Sequence, residues 1–200
     1  MENLNWIYIL YLSVGVPASI NLFIIARKDK SLPVLAFGTS LTTFLCGVLL
    51  DYGFGDDLSL AREWGDLIAI TTALCGLFIE IRESKPVFAR FPIYLTLLPF
   101  LSVLFYPLVI DSVVIKNLLQ LIYQGGAILV AVLVISINQF LHKKREYLLT
   151  ATIIFLLAYI SFWFFGDFES FPGKDVAKIV FSIGIIIASI GFKKASESFN

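Results

Sequence analysis

Runs of apolar residues alternate with short charged turns along this chain. The runs fall at 5–26, 32–50, 65–82, 87–108, 115–141, 147–165 and 175–192. Each is close to the roughly 20 residues that carry an α-helix across a ~30 Å hydrocarbon core. The pattern predicts an all-α, polytopic membrane protein, a seven-transmembrane-helix bundle, with residues 1–200 forming a single domain. The fifth run is the longest and predicts a helix that tilts or projects beyond the bilayer. The fourth carries Pro92 and Pro99, with Pro107 at its exit, so kinks are expected there. The first run lacks a basic start and ends on Arg27-Lys28, which reads as a first span rather than a signal peptide.

Charge orients the threading. Eleven of the fifteen Lys and Arg residues fall in alternate connections: Arg27 to Lys30, Arg82 to Arg90, Lys143 to Arg145, and Lys193-Lys194. Ten of the fifteen acidic residues fall on the other side, among them Asp51, Asp56, Asp57, Glu63, Asp66, Asp111, Asp167, Glu169 and Asp175. Lys and Arg in short loops stay cytoplasmic. The expected topology is therefore N-terminus outside and C-terminus cytoplasmic. Composition agrees with a lipid solvent: apolar residues are 58% and charged residues 15%, against about 45–50% and 25% in soluble domains. The absence of an Asn-x-Ser/Thr sequon fits a multi-pass protein of a bacterial cytoplasmic (inner) membrane.

A repeat is visible in outline. Basic loop, span, Gly-Asp, outer loop, Asp and span recur from Arg27 to Lys85, with Gly55-Asp56, and from His142 to Lys194, with Gly166-Asp167. Spans 1–3 and 5–7 would then be parallel repeats joined by span 4, a 3+1+3 plan of the kind transporters use. Small residues suggest packing faces: Gly184, Ala188 and Gly191 on span 7, and Gly38, Thr42, Thr43 and Gly47 on span 2. These let helix backbones approach closely, either within the bundle or in an oligomer. Trp6, Tyr8, Tyr11 and Trp163 fit an outer aromatic belt.

Candidate chemistry is sparse. His142 is the single histidine and Cys46 and Cys75 lie at different depths, so no metal site is expected. No nucleophile elbow or P-loop occurs, and catalytic residues and cofactors are expected to be none. The membrane centre lacks carboxylates; Glu80 and Arg90 lie near inner ends, where long side chains snorkel. Threonines 39, 42, 43, 71 and 72 are expected to bond carbonyls one turn back. The best polar group lies in the outer third. Asn117, Gln120 and Gln124 share one face of span 5 at i, i+3 and i+7, with Tyr123 beside them. Asp66 opens span 3, and Asp175 with Lys178 opens span 7. These seven residues form either an interhelical hydrogen-bond cluster or a shallow ligand-binding pocket open to the outside.

In layout, the acidic loop into span 3 and the closing segment at residues 173–194 are similar to the seven-helix sensory regions that precede bacterial histidine kinases. The outer-third polar cluster, the acidic outer face and the bare membrane centre point to a non-enzymatic, sensor- or receptor-like ligand-binding module, and this layout is in keeping with it. Its expected partners are the lipid bilayer, a small-molecule ligand from the outer side, and a cytoplasmic or membrane signalling partner; nucleic acid is not among them. The alternative is a small-solute transporter or channel of 3+1+3 plan. The sugar-transporter family's Pro-Gln signature is missing. Microbial rhodopsins are matched in helix count only, since Gly184, not lysine, lies mid-span 7.

Overall fold

The computed structural model describes residues 6–54, 59–84, 90, 92–109, 111–142, 146–165 and 173–197. Among them the chain is helical. The helices are α1 (Trp6–Asp29), α2 (Leu32–Phe54), α3 (Ser59–Ser84), α4 (Ile93–Leu108), α5 (Val113–His142), α6 (Glu146–Phe165) and α7 (Gly173–Glu197). All but α4 are long and apolar enough to cross a membrane. The chain is thus an integral-membrane type of helical bundle. The side chain of His142, and the loop residues Gly55, Asp56, Asp57, Lys85, Lys143, Lys144, Arg145, Gly166, Asp167 and Glu169, lie outside the described residues. The comparison of the two proposed repeats at Gly-Asp therefore lies outside them too.

The fourth segment departs from the expected 87–108 helix. It is a tight 3-10 helix over Ile93–Phe100, one α-turn over Leu101–Phe105 and a second 3-10 turn over Tyr106–Leu108. Proline supplies the cause. Pro99 and Pro107 cannot donate to the carbonyl one turn back, so the ladder tightens to shorter-range bonds. Local side chains take up freed acceptors: Thr96 donates to the Ile93 carbonyl at 2.6 Å and Ser102 to that of Pro99 at 2.9 Å. A 3-10 helix rises ~2.0 Å per residue, against ~1.5 Å in an α-helix. The sixteen residues of α4 therefore reach ~30 Å despite their small number.

The long helices pack in chain order. α1 lies between α2 and α7, α2 against α3, α3 against α5, α5 against α6, and α6 against α7, while α4 packs on α3. Glycines set the closest approaches. A Cβ on Gly65 of α3 would lie 3.1 Å from the Gly47 Cα of α2. Gly184 and Gly191 of α7 receive the Phe155 ring and the Leu148 side chain of α6, and Gly38 of α2 faces Leu22 and Phe23 of α1. The small-residue faces are thus used within the bundle. Polar ties cross these and the neighbouring seams: Ser19 with Thr42 (2.6 Å), Asn21 to the Ser189 hydroxyl (2.9 Å), Ser40 to the Ala69 carbonyl (2.6 Å) and Tyr159 to the Leu121 carbonyl (3.1 Å). Thr39, Thr42, Thr43, Thr71 and Thr72 bond carbonyls four residues back, as expected.

Aromatic rings fill the inside. Tyr11, Phe44, Phe181 and Phe155 form a chain across α1, α2, α7 and α6, with centroid separations of 5.4, 5.4 and 5.2 Å. Tyr11 is therefore a core residue, not a member of the outer belt. Phe44 and Phe155 each sit ten residues from the C-terminal ends of their helices, about 15 Å along the axis. Glu80 is buried, not snorkelled.

Candidate functional site

The polar centre at the end of the bundle where α2 ends and α3 begins is the first two turns of α3. The helix starts at Ser59, six residues before the expected span, and so takes Arg62 and Glu63 into regular structure. Ala, Leu, Arg and Glu, which fill this start, are strong helix formers. Arg62 and Asp66 are then one turn apart and share a face, while Glu63 points about 100° away.

The Arg62–Asp66 face turns toward α2. Arg62 Nε donates to Asp66 Oδ2 at 3.1 Å, and its guanidinium carbon stands 5.0 Å from the Phe44 ring centroid. The glycine contact makes this fit: the Arg62 stem passes 3.6 Å from where a Cβ on Gly47 would be. The arrangement adds a cation–π attraction to the ion pair. The other oxygen of Asp66, Oδ1, is buried and meets no hydrogen-bond donor among the described residues. Buried polar atoms nearly always find partners, so this unpaired carboxylate oxygen stands out from the rest of the bundle.

Glu63 faces α4 and α5. Its Oε1 accepts from Lys116 Nζ at 2.6 Å and its Oε2 from the Tyr106 hydroxyl at 2.9 Å. Tyr106 is fully buried, and its ring meets Trp64 edge-to-face at 5.0 Å. Gln120 reaches the same hydroxyl. One carboxylate therefore fastens three elements. At the α1–α2 rim, Tyr8 donates to Asp51 at 2.7 Å and stacks obliquely on Tyr52 at 5.3 Å.

The seven residues singled out in the sequence are distributed among these groups. Asp66 belongs to the α3 pair, and Gln120 to the Glu63 group. Tyr123 donates to the Pro99 carbonyl at 3.0 Å, satisfying an acceptor of the 3-10 segment. Gln124 accepts from Trp163 Nε1 at 2.6 Å, tying α5 to α6. Asn117 is exposed on α5. Asp175 and Lys178 pair with each other at 3.3 Å on an outer turn of α7. The seven do not converge on one cavity. Sequence reasoning missed Arg62, Glu63, Tyr106 and Lys116. The i, i+4 spacing of Arg62 and Asp66 was a local signal for the first. Nothing local links Glu63 to partners 43 and 53 residues away.

No three-residue group of His, Cys, Asp and Glu among the described residues is arranged to hold a metal ion. No family model, curated protein or solved structure matches the chain.

Proposed function

We propose that the chain is a non-enzymatic, receptor-like membrane module that reads a small solute from its outer side. It would cross the bilayer seven times, N-terminus outside, with α4 spanning through its extended 3-10 rise. The observation that carries the reading is the unpaired Asp66 oxygen beside Arg62, whose guanidinium stands over the Phe44 ring. Such a site suits a compact solute with a hydrogen-bond donor, an amine or a polyol. Its occupancy would bear on α3, the helix that also holds α4 and α5 through Glu63. A cytoplasmic or membrane partner would receive that change at the basic inner end.

The second reading is a small-solute transporter. It draws on the helix order, in which α1–α2–α3 and α5–α6–α7 are successive neighbours while α4 packs on α3. Transport sites of that plan lie near the midplane, where here the Phe44, Phe155 and Phe181 rings pack together. This favours the receptor. Proteoliposomes loaded against labelled amines and polyols decide between them: the receptor gives no flux above empty liposomes, and saturable uptake would sink it.

A further inference from the structure

A groove of about 480 Å³ lies where α1 hands over to α2, at the opposite end of the bundle from Asp66. Phe23, Leu32 and Leu35 form its apolar wall, and Arg27, Lys30 and Ser31 line its rim. The sequence builds it through a short connection. The Ser31 N–H bonds back to the Ala26 carbonyl at 3.2 Å, closing α1, and the Ser31 hydroxyl accepts weakly from the Val34 N–H at 3.5 Å, opening α2. The residue between must adopt a left-handed backbone, and that residue is Lys30, at φ 51°. Glycine is the ordinary occupant of such a position, because any side chain is strained there. It is the single non-glycine residue with positive φ among the described residues. Strain retained at one position directs attention to what its side chain does. Here the Lys30 stem lines an apolar groove, from which its exposed ammonium can reach a bound anion.

Two charges therefore sit over hydrocarbon-facing surface at the end of a span. Arg27 and Lys30 are exposed, and among the described residues neither makes an ion pair. Phe23, Leu32 and Leu35 are each more than a third exposed. The neighbours Lys28 and Asp29 share the turn but do not line the groove. An acyl chain fits the wall and a phosphate fits the rim, where Arg offers a fork of donors and the start of α2 adds the positive end of its dipole.

We propose that this groove binds one anionic phospholipid, its phosphate held by Arg27 and Lys30 and an acyl chain laid along Phe23, Leu32 and Leu35. Selectivity arises from two fixed cations, not from diffuse surface charge. The site works in whichever leaflet this end occupies, so it stands apart from the outer-side receptor reading.

The test uses the full chain purified in detergent, with dioleoyl-phosphatidylglycerol and dioleoyl-phosphatidylcholine as probes. Bound lipid is counted by native mass spectrometry, and affinity is read from titrated thermal stabilisation. The wild type is expected to hold one phosphatidylglycerol in preference to phosphatidylcholine. A charge-assisted hydrogen bond to the phosphate, net of desolvation, contributes about five-fold in affinity. Arg27→Gln with Lys30→Gly should thus lose on the order of thirty-fold, and Lys28→Gln about two-fold or less. Lys30→Gly alone guards against misfolding: glycine relieves the backbone, so this variant keeps or gains thermal stability while losing about five-fold in affinity. Equal binding of the two lipids, an unchanged preference in the double variant, or an equal loss in Lys28→Gln would overturn the proposal.

Discussion

Replacing Glu63 isolates the energetic centre of the outer network. The carboxylate accepts two hydrogen bonds, from Lys116 at 2.6 Å and from Tyr106 at 2.9 Å. Hydrogen bonds to charged groups contribute ~1.5–3 kcal/mol each in proteins, while polar ties between membrane helices average nearer ~0.6–2 kcal/mol. Part of the loss is recoverable. Lys116 can swing its ammonium outward along its flexible stem, and Gln120 remains beside the Tyr106 hydroxyl. Glu63→Ala should therefore cost about 2–3 kcal/mol. Glu63→Gln keeps an acceptor for Tyr106 but leaves Lys116 without its carboxylate, and should cost about half as much. For a chain of this length, ~2–4 °C accompanies each kcal/mol, so the alanine variant melts ~4–12 °C lower. The assay is thermal denaturation in one detergent, followed by intrinsic fluorescence, with a Glu63→Ala/Lys116→Met cycle alongside. Coupling of about 1 kcal/mol or more is expected between the two sites. Melting points within about a degree of wild type, or strictly additive single effects, would refute the assignment of Glu63 as the shared anchor.

Two further predictions concern packing. Gly65→Ala should destabilise by ~1–3 kcal/mol, because its Cβ would meet the α2 backbone rather than a flexible side chain. Gly126→Ala should be neutral or stabilising by up to ~1 kcal/mol, since nothing lies within 4 Å of its added carbon; thermal melts of the pair check the contrast, and equal effects would contradict it. Asn21→Leu removes the α1–α7 tie to Ser189. It should cost ~0.6–2 kcal/mol, read by the same melts, with a gain in stability counting against a structural role for that bond.

Hydropathy located most of the helices because each long span needs one unbroken apolar run, and a run is a local property. The ends of α2 and α3 were less legible. Asp51 continues α2, and Arg62 with Glu63 begins α3, because each charge finds a partner inside the bundle. A rule that stops a span at the first charge ends these helices too early. In α4 the prolines were visible, but not that they would tighten so much of the segment into a 3-10 helix. The Asn117–Gln120–Gln124 face is divided among different neighbours for a geometric reason. Residues on one helix face sit at different depths, and α5 meets α3 and α4 through one end of that face and α6 through the other. The reading of Asp66 as a notable outer-third carboxylate needed only its position, whereas its open oxygen needed the packing of α2 on α3.

The most direct test of the receptor reading is ligand-dependent thermal stabilisation across small amines and polyols, comparing wild type with Asp66→Asn. The substitution keeps the side chain's shape and removes its charge and one acceptor. The account predicts that at least one such solute raises the melting point of the wild type in a saturable way, and that Asp66→Asn loses most of that rise while folding. A panel without effect on the wild type, or an equal rise in both proteins, would contradict it.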